Sequence, residues 1–344
     1  MALPPRLYLV HAPTPVERRP ALDERLGVAL WMKRDDATGG AEAGNKIRKL
    51  EWLLGDAVAR RANVVLTCGG LQSNHARATA IVCARLGLRC VLFLRVGDEL
   101  AGDPMAAAPR ARLVRTGNVL LDRLVGAEVR LISHADYAAR ASVMESAALE
   151  LARGGDRTYV IPEGGSNGLG ALGYVEAMRE LRAQMEGGLV GGTRELDEVV
   201  VACGSGGTAA GIAIGAARFG VARRVRAVAV CNDAAYFTAV IERIVNEARA
   251  LDPSLPPPVP VVVDESARGP GYGFMTAEQR RFVVDVARSS GTLLDPVYTG
   301  KALFGVAQAV ARGEIERGAR VLFVHTGGLP GLLSQGDDFA QELP

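Results

Sequence analysis

Several things are scarce in this 344-residue chain, and each shortage removes a class of function. The formal net charge is only +2 and no basic run occurs, so the electrostatic footprint of a nucleic-acid binder is missing. No apolar stretch approaches the ~20 residues that cross a bilayer. Ahead of Pro20 the one apolar core is residues 7–10, too short for a secretory signal, and the expectation is a cytoplasmic protein. The five cysteines (Cys68, Cys83, Cys90, Cys203, Cys231) are odd in number and form no C-x-x-C pair. They read as reduced, buried small hydrophobes rather than as a disulfide framework or zinc site. Four histidines, none in ligand spacing with another, likewise predict no metal site.

Glycine, by contrast, is abundant. The chain holds 41 glycines, about 12% against a usual ~7%. They cluster at the ends of β-branched runs, where a backbone turns sharply or comes close to a ligand.

Short apolar runs of strand length fall at 63–68, 89–94, 127–132, 159–162, 198–203, 224–231, 259–264 and 320–325. Stretches with helical spacing separate them, at 46–61, 74–86, 135–153, 169–185, 207–218, 235–250, 276–290 and 300–312. Continuous Val/Leu/Ile/Ala strands alternating with helices predict an α/β fold of mostly parallel, twisted sheets covered on both faces. Residues 98–117 and the proline-rich 252–260 read as surface connections. In such sheets ligands gather beyond the carboxyl ends of strands. Glycine clusters follow three of those ends: GGLQSNH after Cys68, GSGGT after Cys203, and TGG after His325. One crevice is expected to collect all three.

The run VVVACGSGGTAAG, residues 199–211, is a strand, a tight glycine turn and a helix start. Gly204, Gly206 and Gly207 leave backbone N–H groups free to converge on an anion, and Ser205 and Thr208 add hydroxyls at the positive end of a helix. No lysine follows as in a Walker A loop, and GSGGT misses the last glycine of a dinucleotide fingerprint. A phosphate monoester suits it. Upstream, Lys46 opens an amphipathic helix among other cations, which is a reason for the lowered pKa that an amine needs to attack an aldehyde. Cradle and lysine together point to pyridoxal 5′-phosphate: one grips the phosphate, the other the aldehyde.

Taken together, GNKIRKLEWL at 44–53, GGLQSNHARATA at 69–80, PEGGSNGLGALGY at 162–174, GSGGTAAG at 204–211, GPGYG at 269–273, DPVYTGKA at 295–302 and HTGG at 325–328 resemble one family. It is the D-cysteine desulfhydrase and aminocyclopropane-carboxylate deaminase family, of the tryptophan-synthase-β-like, fold-type II pyridoxal phosphate enzymes. The resemblance runs from about residue 13 to 332. It implies a two-domain α/β fold, with residues 1–45 and 160–344 in a large cofactor-binding domain and 46–159 in a small one. Homodimerisation is the family's habit. By the same resemblance Lys46 would carry the Schiff base and shuttle the α-proton, with Lys49 the lesser candidate. Asn74 would bind the pyridine 3′-oxygen. Ser73 and Gln72 would hold the substrate carboxylate, supported by His75. Tyr272 and Tyr298 would face the substrate, and Gly204, Ser205, Gly206, Gly207 and Thr208 would bind phosphate. Glu42, just before GNK, departs from the family's pattern and is expected to face solvent.

The choice of reaction turns on the partner of the ring nitrogen N1. A carboxylate there keeps N1 protonated and the electron sink strong; a hydroxyl does so far less. The family's deaminases resemble DPVYEG and HLGG, whereas this chain has Thr299 after Tyr298 and Thr326 after His325. Neutral Thr326, with Thr299 close by, resembles the desulfhydrase side. The weaker sink suits a β-substituent that leaves readily, which favours α,β-elimination from D-cysteine to pyruvate, hydrogen sulfide and ammonia. Sulfo-lyase action on L-cysteate stays open, because a sulfonate also leaves well. Ring opening of aminocyclopropane carboxylate is disfavoured. A binding protein that has lost catalysis is disfavoured too, because lysine, clamp and tyrosines occur together.

Overall fold

The structure, a computed structural model, describes residues 3–97 and 115–343. The strands are β1 (Val16–Arg18), β2 (Ala29–Lys33), β3 (Val64–Gly70), β4 (Arg89–Arg95), β5 (Glu128–Ile132), β6 (Thr158–Val160), β7 (Glu198–Cys203), β8 (Val225–Ala229), β9 (Val261–Asp264) and β10 (Arg320–Val324). The α-helices are α1 (Pro20–Leu26), α2 (Lys46–Ala59), α3 (Asn74–Arg85), α4 (Gly117–Leu124), α5 (His134–Ala138), α6 (Arg140–Arg153), α7 (Gly168–Glu186), α8 (Gly207–Phe219), α9 (Ala234–Leu251), α10 (Ala277–Ser290), α11 (Thr299–Ala311) and α12 (Leu329–Ser334).

The strands form two sheets. The six-stranded sheet runs β1-β2-β10-β7-β8-β9, antiparallel only where β1 meets β2. The four-stranded sheet, β5-β4-β3-β6, is parallel throughout. Every residue of β3 and of β7 is buried, as expected of parallel strands covered on both faces. The mixed α/β architecture with helix-flanked parallel sheets is the one expected.

The structure also shows elements that hydrophobic runs did not reveal: β1, β2, α1, α4 and α12. The helical stretch expected over 135–153 divides at Ala139, whose backbone (φ −93°, ψ 18°) leaves the helical range between α5 and α6. The surface connection expected over 98–117 lies outside the described residues up to residue 114, and Gly117 begins α4.

Two close approaches set the position of α2. A Cβ on Gly173 of α7 would stand 2.0 Å from the Arg48 carbonyl oxygen, and one on Gly211 of α8 would stand 2.2 Å from that of Ala171. Backbone therefore meets backbone from α2 to α7 to α8, and the start of α2 is held over the glycine turn that opens α8. Among the described residues, no helix is long and apolar enough to cross a membrane, and no group of three or more His, Cys, Asp or Glu side chains could hold a metal ion.

Candidate functional site

The carboxyl ends of β3, β7 and β10 meet in one cleft, lined among others by Lys46, Gly70, Ser73, Asn74, His75, Ser205, Thr208, Tyr272, Tyr298 and Thr326. Lys46 is the first residue of α2 and half-buried; its Nζ donates to Asn45 Oδ1 (2.9 Å) and lies 5.7 Å from the centre of the Tyr298 ring. Loss of hydration, and less so the Arg77 guanidinium, lowers its pKa to about 8 against the pull of Asp295 and Glu163. Lys49 sits one turn along on the same face. It is buried, with Nζ donating to the Gly164 carbonyl and to Ser166 Oγ, both at 3.1 Å. Burial and the neighbouring Lys46 push its pKa well down.

Between β7 and α8 the chain turns through Gly204, Ser205 and Gly206, the last with φ +81°. The Ala210 N–H donates to the Gly206 carbonyl (3.0 Å), so the amides of Thr208 and Ala209 lie ahead of the helical ladder. Asn45 Nδ2 donates to Thr208 Oγ1 (3.1 Å), and the Ser166 and Ser205 hydroxyls are 2.8 Å apart. A Cβ on Gly207 would come within 2.7 Å of Ser166 Oγ and 2.9 Å of Lys49 Nζ. Glycine thus keeps the hollow open, and its donor set of amides, hydroxyls and an amine suits a phosphate dianion.

Opposite this hollow, Ser73 caps α3, accepting from the Ala76 N–H (3.2 Å). Asn74 Oδ1 accepts from Asn118 Nδ2 (3.0 Å). The Thr67 hydroxyl donates its one proton to the Ile161 carbonyl (2.8 Å), so His75 Nε2–H is the donor in their 2.9 Å contact. His75 Nδ1 is then a bare acceptor, without a partner among the described residues. Burial, with Lys46 and Lys49 close by, holds its pKa well below the usual range and keeps the ring neutral.

Gln72 departs from the expected clamp. It does not line the cleft; its Nε2 donates to the Thr116 carbonyl (3.2 Å) and its Oε1 accepts from the Asn118 N–H (2.8 Å). The segment beginning α4 competes for that amide and wins it.

On the far side the Tyr272 and Tyr298 hydroxyls share a 2.7 Å hydrogen bond, their rings edge to face. Burial raises both, Tyr272 to about 12. Asp295 shapes this wall: its carboxylate accepts from the N–H groups of Val297, Tyr298 and Thr299 and from the Thr299 hydroxyl (2.7–3.0 Å). Thr299 is thereby turned away and does not line the cleft beside Thr326. Thr326 does, and its carbonyl accepts from the Asn45 N–H (3.2 Å). Glu42 also differs from expectation. It is 1% exposed, and Arg85 bonds its Oε1 at 2.6 Å. Although burial opposes ionisation, backbone amides and Arg85 hold its pKa below the ordinary value.

Three participants escaped the sequence reading. Glu163 lines the cleft and is bonded by the Tyr137 hydroxyl and by Arg140 (3.0 Å). Ser166 joins Lys49 to the hollow, and Asp295 carries Tyr298. All three lie inside motifs already singled out, PEGGSNG and DPVYTG, where an acid or hydroxyl among glycines was the available signal.

Comparison with known proteins agrees with this geometry. A family model described as pyridoxal-phosphate dependent enzyme matches residues 7–327. The bifunctional D-cysteine desulfhydrase/1-aminocyclopropane-1-carboxylate deaminase of Arabidopsis thaliana is 41% identical over 96% of this chain and 80% of its own. D-cysteine desulfhydrase of Klebsiella pneumoniae is 38% identical, covering 96% of each. Among solved structures, an ACC deaminase homologue superposes with a TM-score of 0.84 at 35% identity, over 98% of this chain and 96% of that one.

Proposed function

The chain belongs to the pyridoxal-phosphate dependent enzyme family, and from that premise we propose that it is a carbon–sulfur lyase converting D-cysteine and water to pyruvate, hydrogen sulfide and ammonia. The residues fit the cofactor: a donor-lined hollow that a Cβ would fill lies one helical turn from an amine of lowered pKa. Gly204 to Thr208, with Lys49 behind Gly207, would hold the phosphate; Asn74 would meet the ring oxygen and Thr326 the ring nitrogen. Bound there, pyridoxal phosphate supplies an electron sink conjugated to the substrate nitrogen.

The chain's own groups do the rest. Lys46, part of which is deprotonated near neutral pH with its pKa lowered to about 8, would hold the cofactor until the substrate amine displaces it, and its freed Nζ would take the α-proton. The Ser73 hydroxyl and the first amides of α3 bind the substrate carboxylate, orienting the bond to be broken. Tyr272 and Tyr298, both neutral at pH 7, can hand a proton to the departing sulfur. The single observation favouring elimination over ring opening is neutral Thr326 in the cleft, while Asp295 is spent on backbone amides. The name of the Klebsiella relative supports the same substrate.

One observation favours a second reading, L-cysteate. Arg95 lies in the cavity that adjoins the cleft at Tyr272, its guanidinium over the Tyr137 and Tyr272 rings (4.9 and 5.5 Å), without a carboxylate partner among the described residues. A sulfonate would complement it. The decisive assay is pyruvate release from D-cysteine and from L-cysteate, with 2-oxobutyrate release from aminocyclopropane carboxylate followed in parallel. Pyruvate from D-cysteine in excess of the others is expected; turnover of the cyclic substrate alone overturns the proposal. We extend the reading to a cytoplasmic homodimer, which sedimentation of the holoenzyme and fractionation of cells test.

A further inference from the structure

We propose that Asn118, far from the motifs above, is a positioning residue that decides which end of the Asn74 amide faces the cofactor. The inference rests on the reading that Asn74 meets the ring oxygen.

Asn118 is fully buried near the start of α4. Its Nδ2 donates both to the Gln72 carbonyl (2.8 Å) and to Asn74 Oδ1 (3.0 Å). The two ends of an asparagine amide are alike in shape, and only their partners distinguish them. Here the partners leave no choice. The Gln72 backbone oxygen can only accept, so the Asn118 atom facing it is the nitrogen. That same nitrogen reaches Asn74, so the Asn74 atom that meets it is the oxygen. The NH2 end of Asn74 is left to the cleft. It donates, as an electron-rich ring oxygen requires; the reversed amide would set lone pairs against it.

This contact is built rather than incidental. Gln72 returns two hydrogen bonds to the same segment, from Nε2 to the Thr116 carbonyl and from the Asn118 N–H to Oε1. Gly117 adopts φ +55°, and a Cβ there would come within 2.5 Å of Gln72 Oε1. Asn118 Oδ1 is buried without a partner among the described residues, a cost an apolar side chain would avoid. What offsets that cost lies at the other end of the amide, where Nδ2 makes its two hydrogen bonds.

The test compares the absorption of the bound cofactor in four holoenzymes: wild type, Asn74→Ala, Asn118→Asp and the double variant. Asn118→Asp replaces the donor by an acceptor and reverses Asn74. The ratio of the visible to the near-ultraviolet band should change on the order of tenfold, the effect of losing a hydrogen bond to a charged group. Asn74→Ala should change it similarly, and Asn118→Asp should add nothing in the Asn74→Ala background. Should Asn118→Asp fail to fold, Asn118→Ala carries the same test with a smaller change. An unchanged ratio in Asn74→Ala would refute Asn74 as the ring-oxygen contact. A shift in Asn74→Ala without one in the Asn118 variant, or an additive double variant, overturns the positioning role alone.

Discussion

A single turn of α2 sends its cations into two buried regions that are satisfied in opposite ways. Arg48 points into a cluster where charges close on one another: its guanidinium bonds both Asp35 oxygens at 2.8 Å and Glu180 at 3.0 Å, and Glu180 also pairs with Lys33. Lys33 Nζ donates besides to the Thr14 carbonyl and Gln184 Oε1 (2.8 and 2.7 Å), and Tyr174 caps Asp35 at 2.6 Å. Two cations meet two anions, and the protein completes its own network. Lys46 and Lys49, on the other face, bond only amide, carbonyl and hydroxyl groups among the described residues. The nearby acids are spent elsewhere: Glu163 on Tyr137 and Arg140, Asp295 on its own loop. Buried charge without a partner is expensive, which is why both amines have lowered pKa values, and a phosphate beside Lys49 would favour its charged form.

Replacing one lysine from each region by methionine breaks the comparison most directly. Lys33→Met removes a member of a closed network and should lower unfolding free energy by about 3 kcal/mol, with or without added cofactor. Lys49→Met removes an amine the protein does not neutralise. Unfolding of the cofactor-free protein should shift by less than about 1 kcal/mol, while cofactor affinity falls ~10- to 100-fold, as for a hydrogen bond to a charged group. Urea denaturation and cofactor titration measure the two. A large loss of cofactor-free stability in Lys49→Met would erase the distinction.

The contrast also explains what sequence could and could not reveal. Glycine clusters at strand ends, GNK, QSNH and the two tyrosines were legible because each combines a backbone constraint with a chemical group within a few residues. Lys46, Ser73, Asn74, His75, Tyr272, Tyr298 and Thr326 all line the cleft. The commitment of Gln72 was not legible, since its partners Thr116 and Asn118 lie more than forty residues away. Nor was β2, where Trp31 and Met32 end on Lys33, a charge that reads as a strand's end but is buried by Glu180 from α7. Burial of Glu42 against Arg85 on α3 is of the same kind. Periodicity reports which face is apolar; it does not report which charges find each other.

A pH series sharpens the difference at Lys46. Its amine gives up the proton near 8 in the folded protein and at its ordinary 10.5 when unfolded. Between those values the unfolded chain binds more protons, so stability rises with pH. Lys301, also lowered to about 8 by burial, contributes with the same sign. The quantity to follow is therefore the difference between wild type and Lys46→Met in cofactor-free thermal unfolding. It should grow in favour of wild type as pH climbs from 8 toward 10.5. A flat difference would mean that the cleft does not disfavour the charged amine.

The smallest expected effect separates structure from chemistry within one side chain. Ser73 caps α3 and, in the proposed reaction, also holds the substrate carboxylate, so a single replacement confounds the two roles. Alanine and glycine resolve them. At a helix N-cap, Ser→Ala costs about 1 kcal/mol, whereas Ser→Gly costs only a few tenths; the serine's φ of −72° and ψ of 118° suit either residue. Both variants lose the hydroxyl offered to the carboxylate. Ser73→Ala and Ser73→Gly should therefore raise KM by a similar factor, roughly tenfold for one charge-assisted hydrogen bond, while only Ser73→Ala lowers the unfolding midpoint measurably. Were KM to track stability instead, rising in alanine and not in glycine, Ser73 would belong with the self-satisfied network rather than with the groups left for a ligand.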